Sequence, residues 1–355
     1  MNLKNMLRYK MAWARAEGPE HGVVLSSRVR LARNLSEYPF PGRATADSLA
    51  AVLAAAFEAA GKSPSLSGAA RIRLADASAL DRTFLVERHL ISTKLAAISQ
   101  HRGVVVGEAE VLSLMVNEED HLRLQGISSG LCLADLFRRV SATDDELSGE
   151  LEMAFHTDWG YMTSCPTNTG TGLRASCLVH LPALGLAGLV NRVLDGLSRL
   201  GIVARGLYGE GTKVMGDFYQ ISNATALGPN EGEVIETITR VVEGLLRREN
   251  ETRSEFVSGE QKLRLEDLVY RSLGALSQAR IVSFEEAMQH LSYIRLGLHY
   301  GWKLPVDLHT VNELLVLTQP GHVQMLAGKE LGPQDRDFLR ATLLRRKFAG
   351  EREAD

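Results

Sequence analysis

The chain has 355 residues, of which 45% are apolar, and its 40 basic and 43 acidic residues leave a net charge of −3. This length can bury a full core and suits one large domain with a smaller one. The even balance gives no reason to expect nucleic acid or an anionic membrane as a partner. No apolar run reaches the roughly 18 residues of a membrane-spanning helix, and residues 1–15 lack a signal-peptide pattern.

The cysteines indicate a reducing compartment. Cys132, Cys165 and Cys177 show no C-x-x-C spacing, which disfavours a disulfide framework or a thiolate zinc site. We therefore expect a cytoplasmic protein.

Up to about residue 250 the periodicity alternates between helix and strand. Helical spacing predicts helices over Ala44–Ala60 and Leu80–Ser99. Strand patterns follow over Val104–Val106, Val111–Val116, His121–Ile127, Ala175–Leu181, Gly201–Leu207 and Asp217–Ser222. Two turns separate strands: a hairpin tip at Asn117–Asp120 and a Gly-rich turn at Tyr208–Gly216.

After Arg253 the pattern becomes helical. Ser283 with Glu286 and Thr310 with Glu313 fit capping boxes, and Pro333 suits a first helical turn. We predict an N-terminal segment over residues 1–20, a mixed α and β domain over 21–254, and a helical domain over 255–355.

Two common nucleotide motifs are excluded. Gly61-Lys62-Ser63 ends like a Walker loop, but Ala56 occupies the position of the required earlier glycine. The run from Gly170 to Ala175 matches a dinucleotide fingerprint without the strand that must precede it.

Arginines supply a different phosphate-binding pattern. Arg28 and Arg30 alternate, so in an extended segment both project to one side. Arg123, Arg174 and Arg205 can join them. A single arginine is usually a solvated or ion-paired surface residue. Several together can hold a triphosphate, because forked guanidinium groups match phosphate oxygens and need no reorganisation during transfer.

Two carboxylates indicate the acceptor. Glu119 lies at the hairpin tip and Glu210 in the Gly-rich turn, where each can project into a cleft. A guanidinium stays protonated at neutral pH and is a poor nucleophile until a base orients and deprotonates it. Spacing alone leaves open that Glu118, Glu119 and Asp120 form only a solvated loop.

The motifs together resemble the guanidino kinases, or ATP:guanido phosphotransferases, from about residue 20 to 250. The matching runs are Ser26–Arg30, Asn117–Arg123, Cys165–Asn168 with Gly170, Arg174–Ser176, and Arg205-Gly206 with Gly209-Glu210. The resemblance implies an α+β fold: a catalytic domain with an antiparallel sheet flanked by helices, followed here by an all-helical domain.

The same resemblance implies roles. The residues implied in nucleotide binding are Ser26, Ser27, Arg28, Val29, Arg30, His89, Arg123, Arg174, Ala175, Ser176, Cys177, Leu178, Arg205, Gly206, Leu207, Tyr208, Gly209 and Glu210. Glu119 and Glu210 would orient and deprotonate the acceptor, with Cys165 beside it. Mg²⁺ would accompany ATP through phosphates and water, so no protein ligand is named for a metal.

Departures from the metabolic guanidino kinases favour a protein acceptor. Only 25 residues precede Ser26, where those enzymes carry a helical domain that encloses a small substrate, and Tyr208 stands where they commonly carry another arginine. The C-terminal helices extend the resemblance to the bacterial protein arginine kinases of the McsB type. Arg336, Asp337, Arg340 and Ala341 would then form an allosteric phosphoarginine site, although such a pattern alone is more often a salt-bridged helix surface.

Three hypotheses follow. The first is a protein arginine kinase that marks proteins for a Clp-type protease or chaperone in a stress response, as a homodimer with an activator protein. The second is a small-molecule arginine kinase, and the third is a non-catalytic phosphoarginine-binding adaptor. Substrate identity, the need for an activator and the oligomeric state are not readable from the sequence.

Overall fold

A computed structural model describes residues 3–8, 11–206 and 215–350. The strands are β1 Val24–Arg33, β2 Ala70–Arg73, β3 Gly103–Val106, β4 Leu112–Val116, β5 Leu122–Ser129, β6 Phe155–His156, β7 Gly160–Tyr161, β8 Leu173–His180, β9 Ile202–Gly206 and β10 Phe218–Asn223. The helices are α1 Ala46–Lys62, α2 Ala79–Glu87, α3 Thr93–Ala97, α4 Leu133–Ser148, α5 Pro182–Leu186, α6 Val190–Ser198, α7 Glu231–Ser258, α8 Lys262–Gln278, α9 Phe284–His299, α10 Leu308–Leu317, α11 Pro320–Ala327 and α12 Pro333–Phe348.

One antiparallel sheet organises the first two thirds of the chain. Among the described residues its strands run in the order β2-β3-β4-β5-β1-β8-β10-β9, so β1 lies between β5 and β8. Directly opposite residues of antiparallel strands project to the same side, and neighbours along a strand alternate. Arg30 lies opposite both Gln125 and Arg174, whereas Val29 lies opposite Gly126 and Ala175. The register therefore separates a polar face from an apolar face.

Helices α1, α4 and α7 cover the apolar face. Val29 and Ala175 of the sheet join one buried cluster with residues such as Val52, Val140 and Ile238 from the three helices. Gly126 is required where α4 crosses β5, because an ideal Cβ there would lie 2.7 Å from Cγ2 of Val140. This close packing leaves the opposite, polar face available for binding.

The C-terminal helices share a second core with one end of the sheet. Ile127, Leu178 and Phe218 from the strands are buried together with residues such as Leu291 and Leu314 from α9 and α10. The C-terminal helices are thus packed directly against the sheet.

A buried carboxylate fixes α11 to α2. Glu87, the last residue of α2, accepts hydrogen bonds from the backbone N–H groups of Gly321 and His322 at 2.6 and 2.8 Å, and its carboxylate contacts Nδ1 of His322 at 2.7 Å. The first N–H groups of a helix lack partners within the helix and favour an anion. The contact requires glycine at position 321, since a Cβ would lie 2.7 Å from Oε2 of Glu87.

The predicted α+β class is confirmed, with corrections at particular elements. The single helix predicted over Leu80–Ser99 is wrong, because the chain leaves α2 at Glu87, passes through a positive φ of 61° at His89, and begins α3 at Thr93. The cap at Ser283 is confirmed.

The second predicted capping box is wrong, because α10 begins at Leu308 and the side chain of Asp307 caps it by accepting from the Thr310 backbone N–H. Pro333 does begin α12. Helix α7 continues across the boundary predicted between residues 254 and 255. Within the described ranges, no helix combines the length and apolar character needed to cross a membrane.

Candidate active site

Arginines from four strands share the polar face of the sheet. Arg28 lies opposite Ser176, Arg30 opposite Arg174, and Ala32 opposite Arg123, which puts Arg28, Arg30, Arg123 and Arg174 on one side. Arg205 on β9 lies opposite Gln220, which in turn lies opposite Leu178 on the same face. The structure therefore brings the five predicted phosphate-binding arginines onto one surface.

Burial and neighbouring like charges shift the pKa of two arginines in this cluster. Burial, together with the charges of Arg123 and Arg174, lowers the pKa of Arg28 to about 9, and Glu118 opposes that shift. Burial and the charge of Arg28 lower the pKa of Arg30 well below its usual value. Nε of Arg30 is buried and has no hydrogen-bond partner in the described part of the chain. An orphaned buried donor among like charges fits a polyanion such as a nucleotide triphosphate.

Gln125 fixes Arg28 within this cluster. Its Oε1 accepts from Nε of Arg28 at 2.9 Å and from a second guanidinium nitrogen, while its Nε2 donates to the carbonyl of His89 at 2.6 Å and to the hydroxyl of Ser113 at 2.8 Å. The side chain is fully buried. Sequence reasoning missed Gln125, although its spacing two residues after Arg123 on one strand puts both on the same face.

His89 lies beside Arg28 at a small pocket on this face. The pocket is lined by Ser26, Arg28, His89, Ile127, Ser176, Leu178 and Gln220. Burial, with the nearby charge of Arg28, lowers the pKa of His89 to about 3, so the ring is neutral at pH 7. A neutral ring packed edge-on against Trp13, with centroids 4.9 Å apart, suits contact with an uncharged part of a nucleotide.

The two glutamates at the hairpin tip have different surroundings. The side chain of Glu118 is buried, and its carboxylate contacts Nη1 of Arg123 at 2.6 Å. Burial alone would raise the pKa of Glu118, but Arg123 and hydrogen bonds from Ser92 and the backbone lower it overall. Glu119 keeps 30% of its side chain exposed and lies 3.5 Å from Nζ of Lys94. Glu118 therefore braces Arg123, while Glu119 is accessible to an acceptor.

A buried aspartate ties the cysteine loop to this hairpin. Oδ1 of Asp120 accepts from the backbone N–H of Ser164 and from Nδ2 of Asn34, both at 2.7 Å. Cys165 follows Ser164, whose backbone is bonded to Asp120, and Asp120 follows Glu119. Sγ of Cys165 lies 3.0 Å from Oγ1 of Thr167. Two residues predicted to lie near the acceptor, Glu119 and Cys165, are therefore connected through their neighbours Asp120 and Ser164, which the sequence analysis did not select as site residues.

Several predicted nucleotide-binding side chains face the apolar side. Val29, Ala175 and Cys177 lie in the core under the sheet, and burial raises the pKa of Cys177 to about 12. Ser27 donates to the carbonyl of Gly130 and accepts from the Cys132 N–H. At these positions only the backbone groups could contact a ligand on the polar face.

Part of the predicted site lies outside the described residues. Gly206 ends β9. Leu207, Tyr208, Gly209 and Glu210 follow in the range that the structure does not describe.

The predicted phosphoarginine residues lie at the start of α12. Arg340 is buried and donates to the carbonyls of Thr318 at 2.6 Å and Val282 at 2.8 Å, and it also contacts Asp337 at 2.5 Å. Ala341 is buried in the C-terminal core, whereas Arg336 is half-buried. In this arrangement Arg340 joins three segments of the helical domain.

No metal cluster accompanies these groups in the described ranges: no three His, Cys, Asp or Glu residues there are grouped as a metal site.

Comparison with known proteins gives the class. Residues 53–252 match the family model of the ATP:guanido phosphotransferase C-terminal catalytic domain, and residues 262–355 match that of the protein-arginine kinase McsB C-terminal domain. The solved structure of lombricine kinase is similar with a TM-score of 0.56 and 26% identity, covering 65% of this chain and 67% of that one.

Two curated relatives match over nearly their whole length. The protein-arginine kinase of Halothermothrix orenii is 42% identical over 349 residues, covering 98% of this chain and 99% of the relative. That of Symbiobacterium thermophilum is 45% identical over 346 residues, covering 96% and 98%. The chain belongs to the ATP:guanido phosphotransferase family, and within it to the protein-arginine kinases. The predicted family and phosphotransferase class are thereby confirmed.

Proposed function

We propose that this protein transfers the γ-phosphoryl group of ATP to the guanidinium of arginine side chains in other proteins. The observation that carries the proposal is the placement of five arginines on one face of the sheet, among which the buried Nε of Arg30 lacks a hydrogen-bond partner within the described ranges. The names of the relatives, which match through both domains, support arginine in proteins as the acceptor.

The arginines suit the phosphate side of this reaction. Their guanidinium groups keep their charge and geometry as negative charge spreads over the equatorial oxygens of the transferring group. ATP supplies the phosphoryl group, and we expect Mg²⁺ to arrive with it, held by phosphates and water. Arg28, fixed by Gln125, and Arg30, with its orphaned Nε, would provide the first contacts.

Glu119 suits the acceptor side. Its partly exposed carboxylate can hold an incoming guanidinium and take its proton. A nitrogen–phosphorus bond then forms while the bond to the leaving oxygen breaks, which yields ADP and phosphoarginine. We propose Glu210, outside the described residues, as the second orienting carboxylate and Cys165 as a neighbour of the acceptor.

The finer biological role is also a proposal. We propose that the product marks proteins for a Clp-type protease or chaperone in a cytoplasmic stress response, with an activator protein and a homodimeric enzyme. Arg336, Asp337 and Arg340 would bind phosphoarginine and so regulate the enzyme. Their basic and acidic groups suit a phosphate and a guanidinium respectively, and Arg340 would exchange some of its contacts within the helical domain on binding.

Phosphoryl transfer from γ-labelled ATP tests the proposal, with free arginine and an arginine-rich unfolded protein as parallel acceptors. We expect acid-labile label on the protein acceptor. Glu119→Gln should abolish transfer while ATP still binds. Glu150→Gln is the matched control, since Glu150 is a partly exposed glutamate paired with Lys62. Label on free arginine alone, or retained activity in Glu119→Gln, would contradict the proposal.

A further inference from the structure

A groove runs between α6 and α7 on the apolar-face side of the sheet, away from the arginine cluster. It has a volume of about 700 Å³. One side of the groove is lined by Arg192, Val193, Gly196 and Leu197 of α6 and by Leu200 just after it, and the other by positions of α7 from Thr237 to Glu251. The lining positions recur every three or four residues, singly or as adjacent pairs. This spacing places each set on one side of its helix, so two helical stripes line the groove.

The floor of the groove is apolar. Val193 and Leu197 of α6 and Val241 of α7 are half-buried, Leu245 is buried, and Leu200 is 62% exposed. A groove with apolar side chains at its base and charged side chains around it can receive the apolar face of a helix.

Two glycines keep the groove open. An ideal Cβ at Gly196 or at Gly244 would meet no heavy atom within 4 Å. Each glycine costs a helix about 1 kcal/mol relative to alanine. Nothing in the packing of the chain itself requires glycine at these positions, whereas a ligand that approaches both helices closely would.

The rim is basic. Arg192, Arg240, Arg247 and Arg248 line the groove with Glu251 as the single acidic lining residue. Arg240 pairs with Glu236 at 2.8 Å, whereas the other three arginines form no ion pair within the described residues. This concentration of positive charge contrasts with the net charge of −3 for the whole chain.

We infer that this groove binds an acidic amphipathic helix of another protein. The apolar floor would accept side chains at helical spacing, and the arginine rim would pair with carboxylates on the flanks of that helix. The stripe from Thr237 to Glu251 extends about 21 Å, which matches roughly four helical turns. The binding site is separate from the catalytic face and does not depend on the proposed phosphoryl transfer.

A synthetic peptide tests the inference. The probe is a fluorescein-labelled helix of about 18 residues with leucine at i, i+3, i+4 and i+7 positions and glutamate on the flanks. One matched peptide carries lysine for glutamate and another carries serine for leucine. We expect fluorescence anisotropy with the full chain to show saturable binding that weakens with salt, and both matched peptides to bind at least about tenfold more weakly.

Variants locate the binding. Gly244→Trp fills the groove and should weaken binding of the probe at least about tenfold. Gly274→Trp is the matched control, because Gly274 also lies within a helix with no heavy atom within 4 Å of an ideal Cβ, and it should bind as the parent does. Arg192→Glu combined with Arg248→Glu should weaken binding similarly. Far-ultraviolet circular dichroism and ATP-dependent transfer should be unchanged in all variants.

Four results would overturn the inference. They are the absence of probe binding, equal binding of the lysine peptide, equal binding by folded Gly244→Trp, and a change in sedimentation of the chain alone on Gly244→Trp. The last result would make a second copy of this chain the occupant of the groove.

Discussion

Gln125→Leu isolates the contribution of one buried amide to nucleotide binding. Oε1 of Gln125 accepts hydrogen bonds from two N–H groups of Arg28. A hydrogen bond to a charged group contributes about 1.5–3 kcal/mol to stability. Without that acceptor, Arg28 is repelled by Arg123 and Arg174 and loses its fixed position. If about 2 kcal/mol of this positioning is lost from ATP binding, the Kd for ATP rises about thirtyfold.

Isothermal titration calorimetry with MgATP measures the Kd, and urea unfolding measures stability separately. The variant also leaves the His89 carbonyl without its donor, so we expect some loss of stability as well. Gln324→Leu is the matched control: Gln324 is a buried glutamine that bonds Pro320 and Leu331 in the helical domain, far along the chain from the arginines. It should lose stability and keep its Kd for ATP. A folded Gln125→Leu protein with an unchanged Kd would refute the positioning role.

Three further predictions concern other contacts. Glu87→Ala leaves the N–H groups of Gly321 and His322 without their acceptor and should lower the free energy of unfolding by about 3–5 kcal/mol in urea titrations; a loss below 1 kcal/mol would contradict the docking role. The pKa of His89 is about 3 when folded and near 6.5 when unfolded, so the unfolded state gains a proton first as pH falls. Stability should therefore fall below pH 6.5, by about 2 kcal/mol at pH 5 from this residue, and His89→Gln should show a smaller loss between pH 7 and 5. Lys94→Met removes an exposed competitor for Glu119 and should lower the KM for a protein acceptor by at most about fivefold, with an increase in KM as the contrary result.

Local patterns predicted most elements because they depend on neighbouring residues. Helix α1 and the strand that carries Arg123 follow apolar periodicity, as does β8 from Ala175 onward, and the cap at Ser283 follows a four-residue motif. The alternation of Arg28 and Arg30 predicted their common face before any pairing was known. These features need only the geometry of a single strand or helix.

The errors and omissions arise where distant segments meet. The apolar period through Leu80–Ser99 continues across His89, but the chain bends there, where the backbone carbonyl of His89 accepts from Gln125, 36 residues away. Asp307 rather than Thr310 caps α10, because the helix begins three residues earlier than the spacing of Thr310 and Glu313 predicted. Glu87 contacts a helix 234 residues later, and no local pattern encodes such a pairing.

The sequence by itself determined the family and the α+β class, and it supplied the set of arginines and acids proposed for the site, since these depend on residue type, order and periodicity. Only the tertiary structure decided how that set is divided. Strand register placed the side chains of Arg28, Arg30 and Arg174 on the polar face of the sheet. It placed those of Val29 and Cys177 in the core on the opposite face. Folding buried the side chain of Glu118 against Arg123 and left that of Glu119 accessible, because the environment of a carboxylate is set by the segments folded around it.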